Sequence, residues 1–257
     1  MNNIIVDMTI TLAFIIPYRE RIEHKHFFEM YMKYIVEDYD PSSYIILYIQ
    51  QDDERSFNRG AMKNIGFLYV KQVYPEQYQN ITLVFNDIDT VPYRKNLLDY
   101  ETEEGQIKHF FGFTFALGGI FSIKGSDFEK IDGFPNYWQW GFEDNVIYKR
   151  SLENDIVVDR SNFYRVGCHK ILHFCDAIQK VVDKDVLQTQ FERNYKEEDG
   201  LSKLLNVKFE KKDNNVVHVT NFETFYNSHN KNLMKYSLAN GTKIQTPNIR
   251  KQTLMFL

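Results

Sequence analysis

Two acidic side chains one residue apart, Asp87 and Asp89, follow directly on an apolar run in LVFNDIDTVP (83–92). In extended chain the side chains at i and i+2 share a face, so both carboxylates can converge on one point. Adjacent carboxylates repel unless a cation or a shared proton relieves them. Three readings fit: a divalent-metal site, an aspartyl nucleophile with its acid partner, or a solvated turn after a strand. A second acidic pair, Glu143-Asp144, ends YWQWGFED (137–144), where Trp138 and Trp140 flank a glutamine ahead of Gly141. Aromatic faces stack on the C–H face of a sugar while carboxylates take its hydroxyls, so the stretch suits a sugar-binding wall. The plainer alternatives are core tryptophans and acids that favour a helix N-terminus. A third cluster, CHKILHFC (168–175), places Cys168, His169, His173 and Cys175 close together but lacks the second half of a structural zinc site.

Strands and helices must deliver these groups. LAFIIPY (12–18), SYIILYIQQ (43–51) and ITLVFND (81–87) read as strands. RIEHKHFFEMYMKYIVED (21–38) reads as a helix with its apolar face at Phe27, Met30, Tyr34 and Ile35, and FNRGAMKNIGFLYV (57–70) as a second, shorter one. Strand, helix, strand, helix, strand predicts an α/β chain with a parallel sheet. Ligands in such sheets sit beyond the carboxyl ends of the strands. Pro17-Tyr18-Arg19 and Asp87-Ile88-Asp89 both fall there. Past about residue 220 the chain turns polar and is expected to wrap the surface.

At 257 residues, 43% hydrophobic and a net charge of −4, the chain is long enough for one large α/β domain. Its charge gives no reason to expect nucleic acid as partner, and no apolar stretch reaches the roughly 18 residues of a transmembrane segment. Two cysteines fit a reducing compartment, so the expectation is a soluble, cytoplasmic protein of a bacterium, or of a host cell if the source is a virus.

Taken in order, the motifs resemble the β-1,4-galactosyltransferase family of inverting glycosyltransferases. They stand as IIPYRER (15–21), FNRGAMKNIGF (57–67), FNDIDTVP (85–92), LGGIFSIKGSDFEKIDGFPN (117–136), YWQWGFEDN (137–145), HFCD (173–176) and DGL (199–201). Their co-linear order is far more specific than any one piece. The resemblance implies a single catalytic domain over 1–257 with a GT-A type, Rossmann-like mixed sheet flanked by helices and the D-x-D at a strand end. Its nucleotide-sugar half would run over about 10–115, its acceptor half over about 116–220, and a polar segment over 221–257. It further implies transfer of a hexose or 2-acetamido-hexose from a UDP-sugar to a carbohydrate or glycoconjugate acceptor. Asp144 would be the general base. Asp89 and His173 would hold Mn2+, with Mg2+ as the substitute. Asp87 would face the ribose, and Pro17, Arg19, Arg21, Phe57 and Arg59 would form the uridine and phosphate wall. Ile88, Ala116, Gly118, Gly119 and Trp140 complete the donor side; Trp140, Phe142, Glu143, Asp144 and Asn145 form the acceptor side.

The chain departs from the family pattern at several positions. Lys170 stands where a third metal ligand, a methionine, is usual, and an ammonium cannot coordinate a cation; His169 is the alternative ligand. Phe142 and Asn145 replace a glycine and a carboxylate beside the acceptor. Ala116 replaces an aromatic residue that limits bulk near C2 of the donor sugar, so a 2-acetamido donor is expected to fit. Two other readings compete: a haloacid dehalogenase-type phosphatase with Asp87 as nucleophile and Asp89 as acid, and a degenerate transferase fold that binds sugars without turnover.

Overall fold

The computed structural model describes residues 10–174, 179–183, 199–212, 215–226, 228 and 233–237. The leading elements are β1 (Leu12–Tyr18), α1 (Ile22–Ile35), β2 (Tyr44–Gln51), α2 (Arg59–Val73) and β3 (Thr82–Asn86). β4 (Thr90–Pro92), β5 (Gln106–Gly112), β6 (Ile120–Lys124), α3 (Gly125–Lys130) and α4 (Glu143–Glu153) follow. The short strands β7 (Val157–Asp159), β8 (Tyr164–Arg165) and β9 (Ile171–His173) come next. Last are β10 (Gln179–Asp183), β11 (Leu205–Lys211), β12 (Val216–Glu223) and β13 (Leu233–Ser237).

Every residue of β1 and β3 is buried, which is why both read as continuous apolar runs: strands covered on both faces cannot alternate. β1 lies between β2 and β3, parallel to each, within the order β11-β12-β2-β1-β3-β6-β5-β7, and β8 also pairs with β5. β6 runs antiparallel to both β3 and β5, so the sheet is mixed. Leu12, Phe14 and Ile16 pack with Phe28, Met32 and Ile35 of α1 on one face. Ala13 and Ile15 pack with α2, Phe128 and Ile147 on the other. α1 and α2 thus cover opposite faces, and the chain reverses its winding at β1. The crevice beyond the ends of β1 and β3 is the topological switch point where ligands of open α/β sheets bind.

Two expectations need correction. α1 buries Phe28, Met32 and Ile35, while Met30 is 66% and Tyr34 43% exposed. Both sets have helical spacing; the sheet selects the one with Phe28 at its centre. The chain past 220 also does more than wrap the surface: β12, which joins the main sheet parallel to β2 through Val216–Val219, runs on to Glu223 with Phe222 fully buried.

Candidate active site

β1 carries Pro17 to its carboxyl end. Pairing with β3 stops at the Ile15–Phe85 pair, so on that side the missing proline N–H breaks no ladder. Beyond it, Arg21 reaches across the crevice and Nη1 donates to Asp89 Oδ2 at 3.0 Å. Arg19 donates to the carbonyl of Arg55. Phe57 is packed against the core, and its carbonyl accepts the Gln139 N–H at 3.2 Å.

The D-x-D turn is built from its own neighbours. Asn86 Nδ2 donates to the carbonyls of Asp87 (2.7 Å) and Thr90 (2.8 Å), and the Asp87 N–H donates to Gly119 O at 3.1 Å. β4 leaves this turn and pairs with β9, setting Thr90 opposite His173, while the Phe174 N–H donates to Asp89 O at 2.8 Å. Asp89 and His173 therefore come side by side although 84 positions separate them in sequence. The His173 ring meets Phe111 edge-on at 5.6 Å.

Asn58 caps α2, its side chain accepting the Ala61 N–H at 2.9 Å. That fixes Arg59 in the first turn, aimed into three carboxylates. Its Nη2 lies 2.7 Å from both oxygens of Asp87, and its Nη1 lies 2.7 Å from Glu143 and 2.9 and 3.0 Å from the two oxygens of Asp144. Arg59 thus binds acids here, where the resemblance implies uridine or phosphate. Burial opposes its charge, but Asp144, Asp87 and Glu143 more than restore it. Burial likewise opposes ionisation of Asp87, yet Arg59, Lys63 and the weaker pull of His173 hold its carboxyl below the usual range. An aspartate occupied on both oxygens by a guanidinium is not poised as a nucleophile, which disfavours the phosphatase reading.

Glu143 and Asp144 open α4, as the dipole favours. Glu143 is buried and accepts the Gly141 N–H at 3.1 Å, so it shapes the turn before the helix. Gln139 (φ 73°) and Phe142 (φ 66°) both adopt the left-handed region, costly for side chains with a Cβ and typical of functional turns. The Leu117 N–H donates to Asp144 O at 2.8 Å, docking the Gly118-Gly119 loop on α4. Asn145 Nδ2 donates to Phe115 O at 3.2 Å, and Ala116 is buried at the root of the same loop. Behind it, buried His109 faces the carbonyls of Gly118 and Phe111 at 3.1 Å each, while Arg160 donates to its other nitrogen at 3.0 Å. Burial, with the Arg160 charge, pushes His109 down to about 4.

The two tryptophans separate. Trp140 is half-buried, whereas Trp138 is 3% exposed, stacks on Phe222 at 5.3 Å and donates Nε1 to Thr224 and Tyr226. Trp138 is core and takes no part in a sugar wall. Lys170 lays its ammonium 5.3 Å from the Tyr164 ring centroid, with its carbonyl accepting the Tyr93 N–H. His169 is exposed in the turn before β9. Among the described residues no set of three or more His, Cys, Asp or Glu gathers into a metal cage. Asp89 and His173 are brought together through the backbone of the β4–β9 ladder, and a carboxylate with an imidazole is a donor set that suits a divalent transition metal such as manganese. Lys63, which no motif singles out, joins the acid cluster one helical turn after Arg59; burial and Arg59 lower its pKa against the pull of Asp144, Asp87 and Glu143.

Two family models match in tandem. Residues 7–100 match the N-terminal region of glycosyl transferase group 7, and residues 107–174 match the N-terminal domain of galactosyltransferase. Over 178 residues the chain is 33% identical to β-1,4-galactosyltransferase 1 of Bos taurus. The chain belongs to the β-1,4-galactosyltransferase family. That match covers 64% of this chain and 42% of the relative. β-1,4-galactosyltransferase 2 of Homo sapiens is 31% identical over 173 residues, covering 63% and 45%. The chain thus spans less than half the length of these curated relatives. Among solved structures, the catalytic domain of Drosophila β1,4-galactosyltransferase 7 in complex with xylobiose matches with a TM-score of 0.67 and 22% identity over 85% of this chain and 96% of that one. The same enzyme as a mutant, in complex with manganese, UDP-Gal and xylobiose, gives a TM-score of 0.63 and 20% identity, with the same coverage. The fold is of GT-A type, a mixed sheet flanked by helices with the D-x-D turn at a strand end. Among the described residues no helix is long and apolar enough to cross a membrane.

Proposed function

We propose that this galactosyltransferase-family chain transfers a hexose or 2-acetamido-hexose from a UDP-sugar to a hydroxyl of a carbohydrate or glycoconjugate, with inversion at the anomeric carbon. The observation that carries this reading is the joining of two groups at one crevice: Asp89 beside His173 on the β4–β9 ladder, and Asp144 tied through Arg59 to Asp87. Asp89 and His173 would hold Mn2+, or Mg2+ in its place; when bound, the cation neutralises charge on the departing diphosphate. The manganese, UDP-Gal and xylobiose held by the Drosophila enzyme support this choice of metal, donor and acceptor class.

In this scheme Asp144 takes the proton of the acceptor hydroxyl as that oxygen bonds to C1 of the donor sugar and the C1–O bond to UDP breaks on the opposite face. Arg59 orients the carboxylate through its contacts of 2.9 and 3.0 Å. Pro17, Arg19, Arg21 and Phe57, with Ile88 in the D-x-D turn, line the nucleotide side. Gly118 and Gly119 bring the backbone close to the donor sugar. Trp140 and Phe142 offer aromatic surface to the sugars, with Asn145 at the acceptor edge. With alanine at 116, donors carrying a 2-acetamido group are accepted; Ala116→Tyr should favour UDP-galactose, and identical donor preference in variant and parent would refute that. With two cysteines in 257 residues, we place the reaction in the cytoplasm; recovery of a tagged chain in a membrane or secreted fraction would argue otherwise.

UDP release from UDP-galactose, UDP-GalNAc and UDP-GlcNAc, with and without Mn2+, is read alongside thermal stabilisation by each donor. Asp89→Asn should lose the Mn2+-dependent stabilisation, and Asp144→Asn should keep it while losing transfer. Stabilisation without UDP release would identify a sugar-binding module. No stabilisation by any UDP-sugar would overturn the proposal.

A further inference from the structure

Lys63 is the most deeply buried charge in the cluster, at 1% exposure. Its Nζ lies 3.4 Å from Asp144 Oδ1 and 3.8 Å from Asp87 Oδ1, with the Phe134 ring centroid 4.4 Å away. A methionine or leucine would pack against Phe134 without the cost of burying an ammonium. The charge balance explains why a lysine stands there. Without Lys63, Arg59 would alone face Asp87, Glu143 and Asp144, leaving two negative charges uncompensated. Like charges this close repel one another, and a second cation relieves them.

We infer that Lys63 is a positioning residue of the transfer reaction: its ammonium, one helical turn behind Arg59, offsets the negative charge gathered at Asp87, Glu143 and Asp144 and fixes the direction of the Asp144 carboxylate. The inference rests on Asp144 being the base. The groups that face Asp144 are Arg59 and Lys63 from α2, Asp87 from the end of β3, Glu143 from its own helix and His109 from β5. Of these, only Arg59 and Lys63 bring positive charge to its carboxylate. His109 is neutral there and turns its nitrogens to Gly118, Phe111 and Arg160.

The test uses Lys63→Met, which keeps the length of the side chain and removes the charge. UDP release from UDP-galactose with Mn2+, and with water, xylobiose or N-acetylglucosamine as acceptor, is measured from pH 5 to pH 9. The acid limb of kcat should move upward by about one pH unit, so that turnover on that limb falls about tenfold while KM for UDP-galactose stays within about threefold. A uniform loss at every pH with an unmoved acid limb would mean packing alone and overturn the inference. Urea unfolding of Lys63→Met, Asp144→Asn and the double variant gives a second readout. The lysine should matter far less once Asp144 is neutral, and additive effects would count against the inference. If Lys63→Met does not fold, recovery of folding in the double variant supports the inference, and failure there too overturns it. Transfer at the parental rate by Asp144→Asn would sink the base assignment itself. Loss of transfer in Asp144→Asn, with an unmoved acid limb in Lys63→Met, would sink only the role given to Lys63.

Discussion

Replacing Gly118 by alanine asks how finely the carboxylate of Asp144 is placed. A Cβ built at 118 would stand 2.5 Å from Asp144 Oδ2 and 3.1 Å from its Cγ. Gly118 lies outside the left-handed region, so the substitution is steric and carries no backbone penalty. Ordinary contact begins near 3.4 Å, and the carboxylate must therefore shift by about 0.9 Å, disturbing its contacts of 2.9 and 3.0 Å to Arg59. A displacement of that size at a reacting group costs on the order of 100-fold, or about 2.7 kcal/mol of barrier. The assay is kcat for UDP release from UDP-galactose with Mn2+, set beside UDP affinity from thermal shift. The expected result is a kcat lower by about two orders of magnitude with UDP affinity within about threefold of the parent. A kcat within about threefold of the parent would show that the reaction does not depend on this placement. A loss confined to UDP affinity would move Gly118 to a purely nucleotide role.

Arg59→Met strands three carboxylates beside Lys63, and removing one partner of a buried ion cluster typically costs about 3–5 kcal/mol. The carboxyl of Asp87 is held below its usual value, so this stabilisation is full at pH 7 and is lost only as pH falls below the ordinary carboxylate value and through the lowered one; urea unfolding at pH 7 and in that acid range should show the gap closing. His109 is pushed down to about 4 from an unfolded value near 6.5. The unfolded chain therefore binds the extra proton between those values, and stability should fall as pH drops through that window; His109→Gln should flatten the slope measured by urea midpoints. Trp138→Ala should cost about 3–5 kcal/mol of stability. Trp140→Ala should leave the urea midpoint near the parent's and raise KM for the acceptor, and the reverse pattern would exchange their roles.

What the chain discloses before folding is set by how local each determinant is. β1 and β3 are plain because a strand buried on both faces is apolar throughout, and α2 is plain because Asn58 announces its start. The face of α1 is ambiguous because 21–38 carries two overlapping apolar stripes, and only the sheet chooses between them. β12 hides in a polar stretch whose alternation, VVHVTNFE, is brief. Trp138 and Trp140 look equivalent two residues apart, yet the positive φ of Gln139 turns one into the core and leaves the other half-exposed. The candidate site is legible in the motifs that carry Asp87, Asp89, Asp144 and His173. The partners of Arg59 are not, because pairing across 28, 84 and 85 positions leaves no periodic trace. Lys63 is hidden for the same reason, as a cation in a helix that otherwise reads as amphipathic.

The parallel pairing of β12 with β2 sets a timetable for the nascent chain. Tyr48 emerges from the ribosome some 168 residues before Val216, its partner in the ladder. At about 5–20 residues per second, the edge of β2 waits on the order of 10–30 s for its cover. Until then YIILYIQQ offers a hydrophobic, unpaired strand edge, the kind of surface on which foreign strands add. A sheet finished by a late, distant strand has high contact order and folds slowly. Production of this protein should therefore depend on chaperone supply and on elongation rate through the middle of the message, and chains halted before residue 216 should be recovered mainly as aggregates.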